Sequence, residues 1–352
     1  MRRTLVFALV SLLAATPLLP CSTLVIARNG DVIFGRNYDF ETGGGLVLVN
    51  QRGLMKTSYA RTKSWTSKYG SVTFNQFGRE FPMDGMNEAG LAIGLMWLDG
   101  TVYPAPDDRP SFSVLEWIQY QLDNYATVAE VLEHGNEVRI RRGGTPLHYL
   151  IGDSTGAAAT IEFLNGELVA HTGSTLPTAN LTNDSYDSSV AYLRSRKSMP
   201  GGTGSLERFA RTAMLMQKVD ARSTLSDSTL SILDQVAQPG ATRWSVAYDL
   251  SRHEIAWKTR ESTQRKTLRL ADIDFSCTAP MLMIDANTPW AGDLTTQLQP
   301  YSATADLDLM IKSYAETSFL RHTVREDIEA DAAHGNASLC STPSRHWRAV
   351  SH

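Results

Sequence analysis

Apolar positions along the chain follow two periods. Ser22 to Ala27 (STLVIA) and Val32 to Asn37 (VIFGRN) are runs of strand length separated by Arg28-Asn29-Gly30-Asp31, a turn whose Asn-Gly pair suits a tight hairpin. Gly43-Gly44-Gly45 breaks the pattern before a strand over 46–50, and Met86-Asn87-Glu88-Ala89-Gly90-Leu91 forms a turn leading into a strand over 92–98. From Ser113 the spacing becomes helical, with Val114, Trp117, Ile118 and Leu122 on one face, and a short second helix follows around 127–134. Further strands are predicted over 147–152, 157–163 and 167–171, helices over 205–219 and 226–236, and strands over 242–249, 254–260 and 266–275. Leu307, Ile311 and Tyr314 mark one face of a long amphipathic helix running to about Ala330, and the tail over 331–352 has no periodicity. No break rich in Pro, Gly or Ser divides the chain, and no repeat is seen. One mixed α+β domain is expected over 21–330, with sheets packed on one another and helices outside.

The first twenty residues stand apart. Met1-Arg2-Arg3 is basic, Leu5 to Ala15 is apolar except for Ser11, and Thr16-Pro17-Leu18-Leu19-Pro20 follows. That is the layout of a secretory signal peptide, and the run is shorter than the roughly 18 apolar residues of a spanning helix. A bacterial-type protein, periplasmic or secreted and without stable membrane insertion, is therefore expected. The cleavage point stays open. Ala15 can end the leader, or processing can continue through Pro20; Leu18-Leu19-Pro20-Cys21 also admits a lipidated cysteine, although proline fits poorly where a small residue is wanted. Cleavage before Cys21 removes Arg2 and Arg3, taking the formal charge from −4 to −6. It also makes Cys21 a residue with its own base, because a free α-amine titrating near 8 can take the proton of a thiol titrating near 8.5.

Composition narrows the classes of function. Lys and Arg total 33 against 37 Asp and Glu, so no basic excess points to nucleic acid. At 42% hydrophobic and 20% charged the chain is globular, and three cysteines are too few for a disulfide scaffold. Gly152-Asp153-Ser154-Thr155-Gly156 has the spacing of a serine-hydrolase elbow, but strand signal rather than helix follows it. Gly30 to Gly35 has phosphate-loop spacing with Arg36-Asn37 where Lys-Ser/Thr is required. The eight histidines form no HExxH and no Cys/His cluster, so no metal site is expected. With Cys21 employed as nucleophile, Cys277 and Cys340 remain as a pair that an oxidising compartment can join, pinning the tail.

Taken in order, Cys21-Ser22-Thr23, Gly35-Arg36-Asn37-Tyr38-Asp39-Phe40, Gly85-Met86-Asn87-Glu88-Ala89-Gly90-Leu91, His148-Tyr149-Leu150-Ile151-Gly152-Asp153, Ile161-Glu162-Phe163, Leu181-Thr182-Asn183, Glu207-Arg208-Phe209 and Thr242-Arg243-Trp244-Ser245 resemble the choloylglycine hydrolase family, which includes bile salt hydrolases and penicillin V acylases. The resemblance implies the four-layer αββα sandwich of the N-terminal-nucleophile hydrolases, cofactor-free hydrolysis of a linear amide in a small N-acyl substrate, and a homotetramer. It implies Cys21 as nucleophile, Arg36 beside it, Asp39 orienting the terminal amine, Asn183 in the oxyanion hole and Arg208 as the distal arginine. Phe40 falls at a substrate-facing position and Trp97 at the second oxyanion position. Trp97 stands where bile salt hydrolases often carry Asn, and so resembles the Gram-negative penicillin V acylases, which also cleave N-acyl homoserine lactones. An indole cannot replace an asparagine amide at that reach, so the expected donor there is the main-chain N–H, with the ring as an apolar wall. Penicillin V or acyl homoserine lactone substrates are expected, with bile salt hydrolysis or a lipidated, non-catalytic binding protein as alternatives.

Overall fold

The computed structural model describes residues 21–220 and 222–340; the expected leader over 1–20 lies outside them, as does the end of the tail. The chain opens with a hairpin of the strands Ser22–Arg28 and Asp31–Asp39. Its turn holds Asn29 at φ 53° and Gly30 at φ 86°, the two left-handed residues that an Asn-Gly loop supplies most easily. These strands lie within a sheet ordered Asn180–Leu181, Ser22–Arg28, Asp31–Asp39, Thr242–Asp249, Glu254–Thr259, Lys266–Arg269, Gly292–Asp293. A second sheet runs Glu167–Thr172, Ala158–Leu164, Leu147–Gly152, Ala92–Trp97, Pro82–Asn87, Ser71–Asn75, Leu46–Asn50, Leu282–Asp285, Gln299–Pro300.

The two sheets stack face to face. Phe74 of the second sheet meets Trp244, Tyr248 and Trp257 of the first with ring centroids 5.8 to 6.2 Å apart. The period-2 alternation of the first strand assigns its sides: Val25 joins the core between the sheets, while Leu24 and Ile26 join a separate cluster with Leu230 and Leu233. Helix α1 (Val114–Asn124) packs on the second sheet, followed by α2 (Val128–His134). Both begin with reciprocal caps, Ser113 with Glu116 and Thr127 with Glu130, which satisfy otherwise orphaned main-chain donors. Helices α3 (Tyr186–Arg194), α4 (Ser205–Met216) and α5 (Leu225–Gln235) pack in sequence, with α5 against the first sheet. The result is the αββα sandwich.

Three expectations change. The long C-terminal helix is two helices, α6 (Ala303–Glu316) and α7 (Arg325–Gly335). Between them the chain turns extended at Thr317, in a stretch of β-branched and small polar residues, and delivers Phe319 and Leu320 to the cavity described below. The tail expected from Asp331 therefore begins inside a helix, with Ala332 buried. The strand expected over 266–275 stops at Arg269 in a 3₁₀ turn, and Phe275 instead packs on the Gly70 backbone. The central strand Ser71–Asn75 went unnoticed because its buried positions are largely polar: Asn50 donates to Ser71 and Thr73, and Thr73 donates to Asn75, so a hydrogen-bonded ladder stands where apolar residues were sought. Gly152 to Gly156 is a hairpin turn between antiparallel strands, with Gly156 at φ 89°, and not a strand-to-helix elbow. Cys277 and Cys340 are disulfide-bonded, tying the short strand Leu339–Cys340 to the body.

Candidate active site

Cys21 stands at the head of the first strand, 3% exposed, on the core between the sheets. Hairpin register sets its neighbours: Ser22 pairs with Asn37 and Thr23 with Arg36, so the nucleophile candidate lies beside Tyr38 and Asp39 although they are distant in sequence. Its Sγ is 3.7 Å from the Asp39 carbonyl oxygen and 3.9 Å from Arg36 Nη2. Burial pushes the thiol up to about 11; the Arg36 and Arg208 charges pull it down and the Asp39 carboxyl raises it. Left to these surroundings the thiol stays protonated at neutral pH. A base is required to make it a nucleophile.

Arg36 is wholly buried and held on three sides. Its Nε is 3.0 Å from Asp84 Oδ2, and its Nη1 donates to the Met83 carbonyl at 2.8 Å. Asp84 in turn accepts from the Tyr248 hydroxyl. Gly94, on the adjoining strand, makes room for this arginine: a Cβ there would lie 3.1 Å from Arg36 Nη1, 3.2 Å from Phe34 and 3.2 Å from Thr23. Asp84, Tyr248 and Gly94 carry no local signature and were missed from sequence. Asp84 and Gly94 meet Arg36 only because the two sheets stack, while Tyr248, on the strand beside that of Arg36 in the first sheet, reaches across to Asp84.

Asp39 is buried beside the nucleophile, and neither carboxylate oxygen meets the geometry of a hydrogen bond to any described residue. Burial raises its carboxyl to about 7, offset in part by the neighbouring Thr242 hydroxyl and by the charges of Arg208, Arg36 and Arg243. A buried carboxyl with unmade bonds is costly unless a donor arrives.

On the other side of Cys21, Arg208 reaches in from α4. Its Nη1 donates to the Cys21 carbonyl at 2.6 Å and to Ser22 Oγ at 2.7 Å, while its Nη2 donates to Asn183 Oδ1 at 2.8 Å. That last bond fixes which end of the Asn183 amide is the donor. Asn183 Nδ2 donates to the Trp97 carbonyl at 2.9 Å, so Trp97 meets Asn183 as a main-chain acceptor rather than through the donating N–H expected there. The Trp97 indole N–H is occupied by Asp99 Oδ1 at 2.5 Å, and its ring lines the cavity, edge-on to Phe319 at 5.8 Å. The structure thus brings Cys21, Arg36, Asp39, Asn183 and Arg208 together, with Trp97 and Phe40 beside them.

The cavity in front of Cys21 holds about 290 Å³. Phe40 stacks on Tyr38 and meets Phe77 edge-on at 5.9 Å, and Tyr314 meets Phe77 in turn at 5.4 Å, so one wall is aromatic. Arg141, Asp331 and Tyr59 give the lining a polar part. No group of three or more His, Cys, Asp or Glu side chains among the described residues is placed to hold a metal ion, and no helix among them is long and apolar enough to cross a membrane.

Two stacked antiparallel sheets between helical layers, with a buried cysteine at the head of the first strand, define the architecture of the N-terminal-nucleophile hydrolases. Residues 21–200 match the family of linear amide C–N hydrolases, choloylglycine hydrolase family, and the chain belongs to that family of amidohydrolases. It is 32% identical over 177 residues to a penicillin V acylase of Pectobacterium atrosepticum, a match covering 44% of this chain and 47% of that protein, about half its length. The solved penicillin V acylase of Agrobacterium tumefaciens superposes with a TM-score of 0.71 at 26% identity, over 80% of this chain and 98% of that one. A variant of the conjugated bile acid hydrolase of Clostridium perfringens shares the fold, with a TM-score of 0.64 at 19% identity, over 80% and 97% of the two chains.

Proposed function

We propose that the protein is exported, begins at Cys21 once its leader is removed, and hydrolyses an N-acyl amide through that cysteine. The observation that carries this reading is the buried Asp39 carboxyl, whose oxygens meet hydrogen-bond geometry with no described residue and have only the nearby Thr242 hydroxyl to soften their burial, beside a buried thiol pushed up to about 11. In the longer chain the nitrogen of Cys21 is a peptide nitrogen and supplies neither a base nor a cation. Cleavage turns it into an amine that takes the thiol proton and, as ammonium, offers Asp39 the donors it lacks.

The thiolate then attacks the amide carbonyl carbon. The oxygen becomes an oxyanion near the Asn183 amide, whose orientation Arg208 fixes. The C–N bond breaks as the ammonium returns its proton to the leaving amine, and a thioester remains on Sγ. Water, deprotonated by the same α-amine, cleaves the thioester and restores the thiol. Arg36, permanently charged and locked to Asp84, stabilises the sulfur anion throughout.

The acyl group is an aromatic or fatty chain of the penicillin V or acyl homoserine lactone type. The aromatic wall supports this, and so does the size of the cavity, which at about 290 Å³ is at the small end of ligand sites and favours one ring or chain over a fused steroid. Hydrolysis of penicillin V, an acyl homoserine lactone and glycocholate side by side, on protein starting at Cys21, tests this. One of the first two should lead. A preference for glycocholate would contradict the substrate assignment, and turnover by Cys21→Ala would contradict the nucleophile.

A further inference from the structure

Behind Asn183 lies a buried pair that the mechanism above does not use. His148, on the strand Leu147–Gly152, and Glu162, on Ala158–Leu164, are both wholly buried. His148 Nε2 is 2.7 Å from the carbonyl oxygen of Thr182, the residue before Asn183, and Nδ1 is 3.2 Å from Glu162 Oε1. A carbonyl oxygen only accepts, so Nε2 carries hydrogen. A second proton must then lie between Nδ1 and Oε1, whichever atom holds it, because a bare ring nitrogen facing a carboxylate would repel it. Oε1 also accepts the Tyr186 main-chain N–H at 3.0 Å, which fixes the carboxyl from the other side.

Other groups around the pair complete its setting. Glu162 Oε2 faces His171 Nε2 at 3.8 Å, and that nitrogen is 3.9 Å from Asp187 Oδ1. The Tyr186 ring lies against His171 at 4.8 Å. From α4, Ser205 receives the Asn183 main-chain N–H at 2.9 Å and meets the Thr182 hydroxyl at 3.0 Å.

Taken together, these contacts pin both the carbonyl and the N–H of the one peptide unit that leads into Asn183. We propose that His148 and Glu162 are positioning residues for Asn183: the doubly protonated pair clamps the Thr182 carbonyl and so sets where the Asn183 amide points during amide cleavage. This rests on the assignment of Asn183 to the oxyanion given above. Space between the sheets could be filled at lower cost by apolar side chains, since a buried polar pair gains little stability over a hydrophobic one. What the pair adds is direction: a donor aimed at one carbonyl, with its tautomer fixed by a carboxyl that is itself held in place.

The test uses the enzyme starting at Cys21 with penicillin V. His148→Leu is expected to lower kcat about tenfold, with KM changed less than about twofold, because a misdirected donor weakens the transition state and leaves substrate binding alone. His148→Gln, whose amide N–H can reach the Thr182 carbonyl without Glu162, should recover most of the loss. In an Asn183→Ala background His148→Leu should have no further effect. Equal losses in His148→Leu and His148→Gln, or a full tenfold loss that persists without Asn183, would overturn the clamp. If His148→Leu does not fold, Glu162→Gln takes its place: its amide cannot both accept from Tyr186 and donate to Nδ1 through one atom, so the same kcat loss is expected and unchanged kcat would overturn the proposal. Full activity in Asn183→Ala alone would instead strike the oxyanion assignment, a separate outcome.

Discussion

At the scale of single residues, Asp39 links processing, stability and activity. An unfolded aspartate titrates near 3.9, whereas the buried carboxyl sits at about 7. Between these values the folded chain keeps a proton that the unfolded chain has lost, so stability falls as pH rises through that window. In the chain with Cys21 internal, Asp39→Asn is therefore expected to raise the melting temperature by several degrees at pH 8 and to change it little at pH 4. Calorimetry at the two pH values checks this, and an equal shift at both would contradict it. In the chain starting at Cys21, the same substitution removes the partner of the ammonium and should lower kcat about 100-fold or more. Asn183→Ala should lower kcat by about 10²–10³ with a much smaller change in KM, read by steady-state kinetics; a loss confined to KM would place Asn183 in substrate binding instead. Cys21 was legible as a candidate from its place at the leader junction, and Arg36 and Asp39 through the resemblance to the choloylglycine hydrolase family; one hairpin sets all three together. Asp84 and Tyr248 were not, because Asp84 reaches Arg36 only across the stacked sheets and Tyr248 acts through Asp84, and neither residue type stands out in its own strand.

At the scale of elements, the site depends on how closely two strands approach. Gly94 faces Arg36, Phe34 and Thr23, all fully buried and none free to yield, so Gly94→Ala is expected to displace the guanidinium and to lower kcat about tenfold along with the melting temperature. Full activity in that variant would show that Arg36 can move without consequence. The break between α6 and α7 is the second such feature. It carries Phe319 to the cavity, where the ring meets both Trp97 and Phe40. Phe319 is 44% exposed, so Phe319→Ala should cost little stability while raising KM several-fold for aryl-acyl substrates and leaving short acyl amides unaffected. Periodicity in the sequence found the apolar face of α6 and missed the break, because no Pro or Gly between Glu316 and Arg325 marks it. The Asn-Gly turn, by contrast, is local chemistry that the chain states outright.

For the whole molecule, the order of strands and helices implied sheets packed on one another with helices outside, and the family resemblance implied two sheets between helical layers. Which strands neighbour one another was not legible, since the order in each sheet is set by contacts between distant segments. The C-terminal region belongs to the same body: α7 contributes Asp331 to the cavity, and the Cys277–Cys340 disulfide closes a loop with a sequence separation of 63. By chain entropy such a loop is worth about 4 kcal/mol, so Cys277→Ser/Cys340→Ser should melt several degrees lower. An unchanged melting temperature would show that the strand Leu339–Cys340 holds without it. The account as a whole turns on the amine released at Cys21. Two preparations of the same protein, one starting at Cys21 and one retaining a single residue ahead of it, should be compared for kcat on penicillin V and for thiol reactivity across pH. The account predicts turnover only in the first, with its thiol ionising well below that of the second. Equal turnover by both would contradict it.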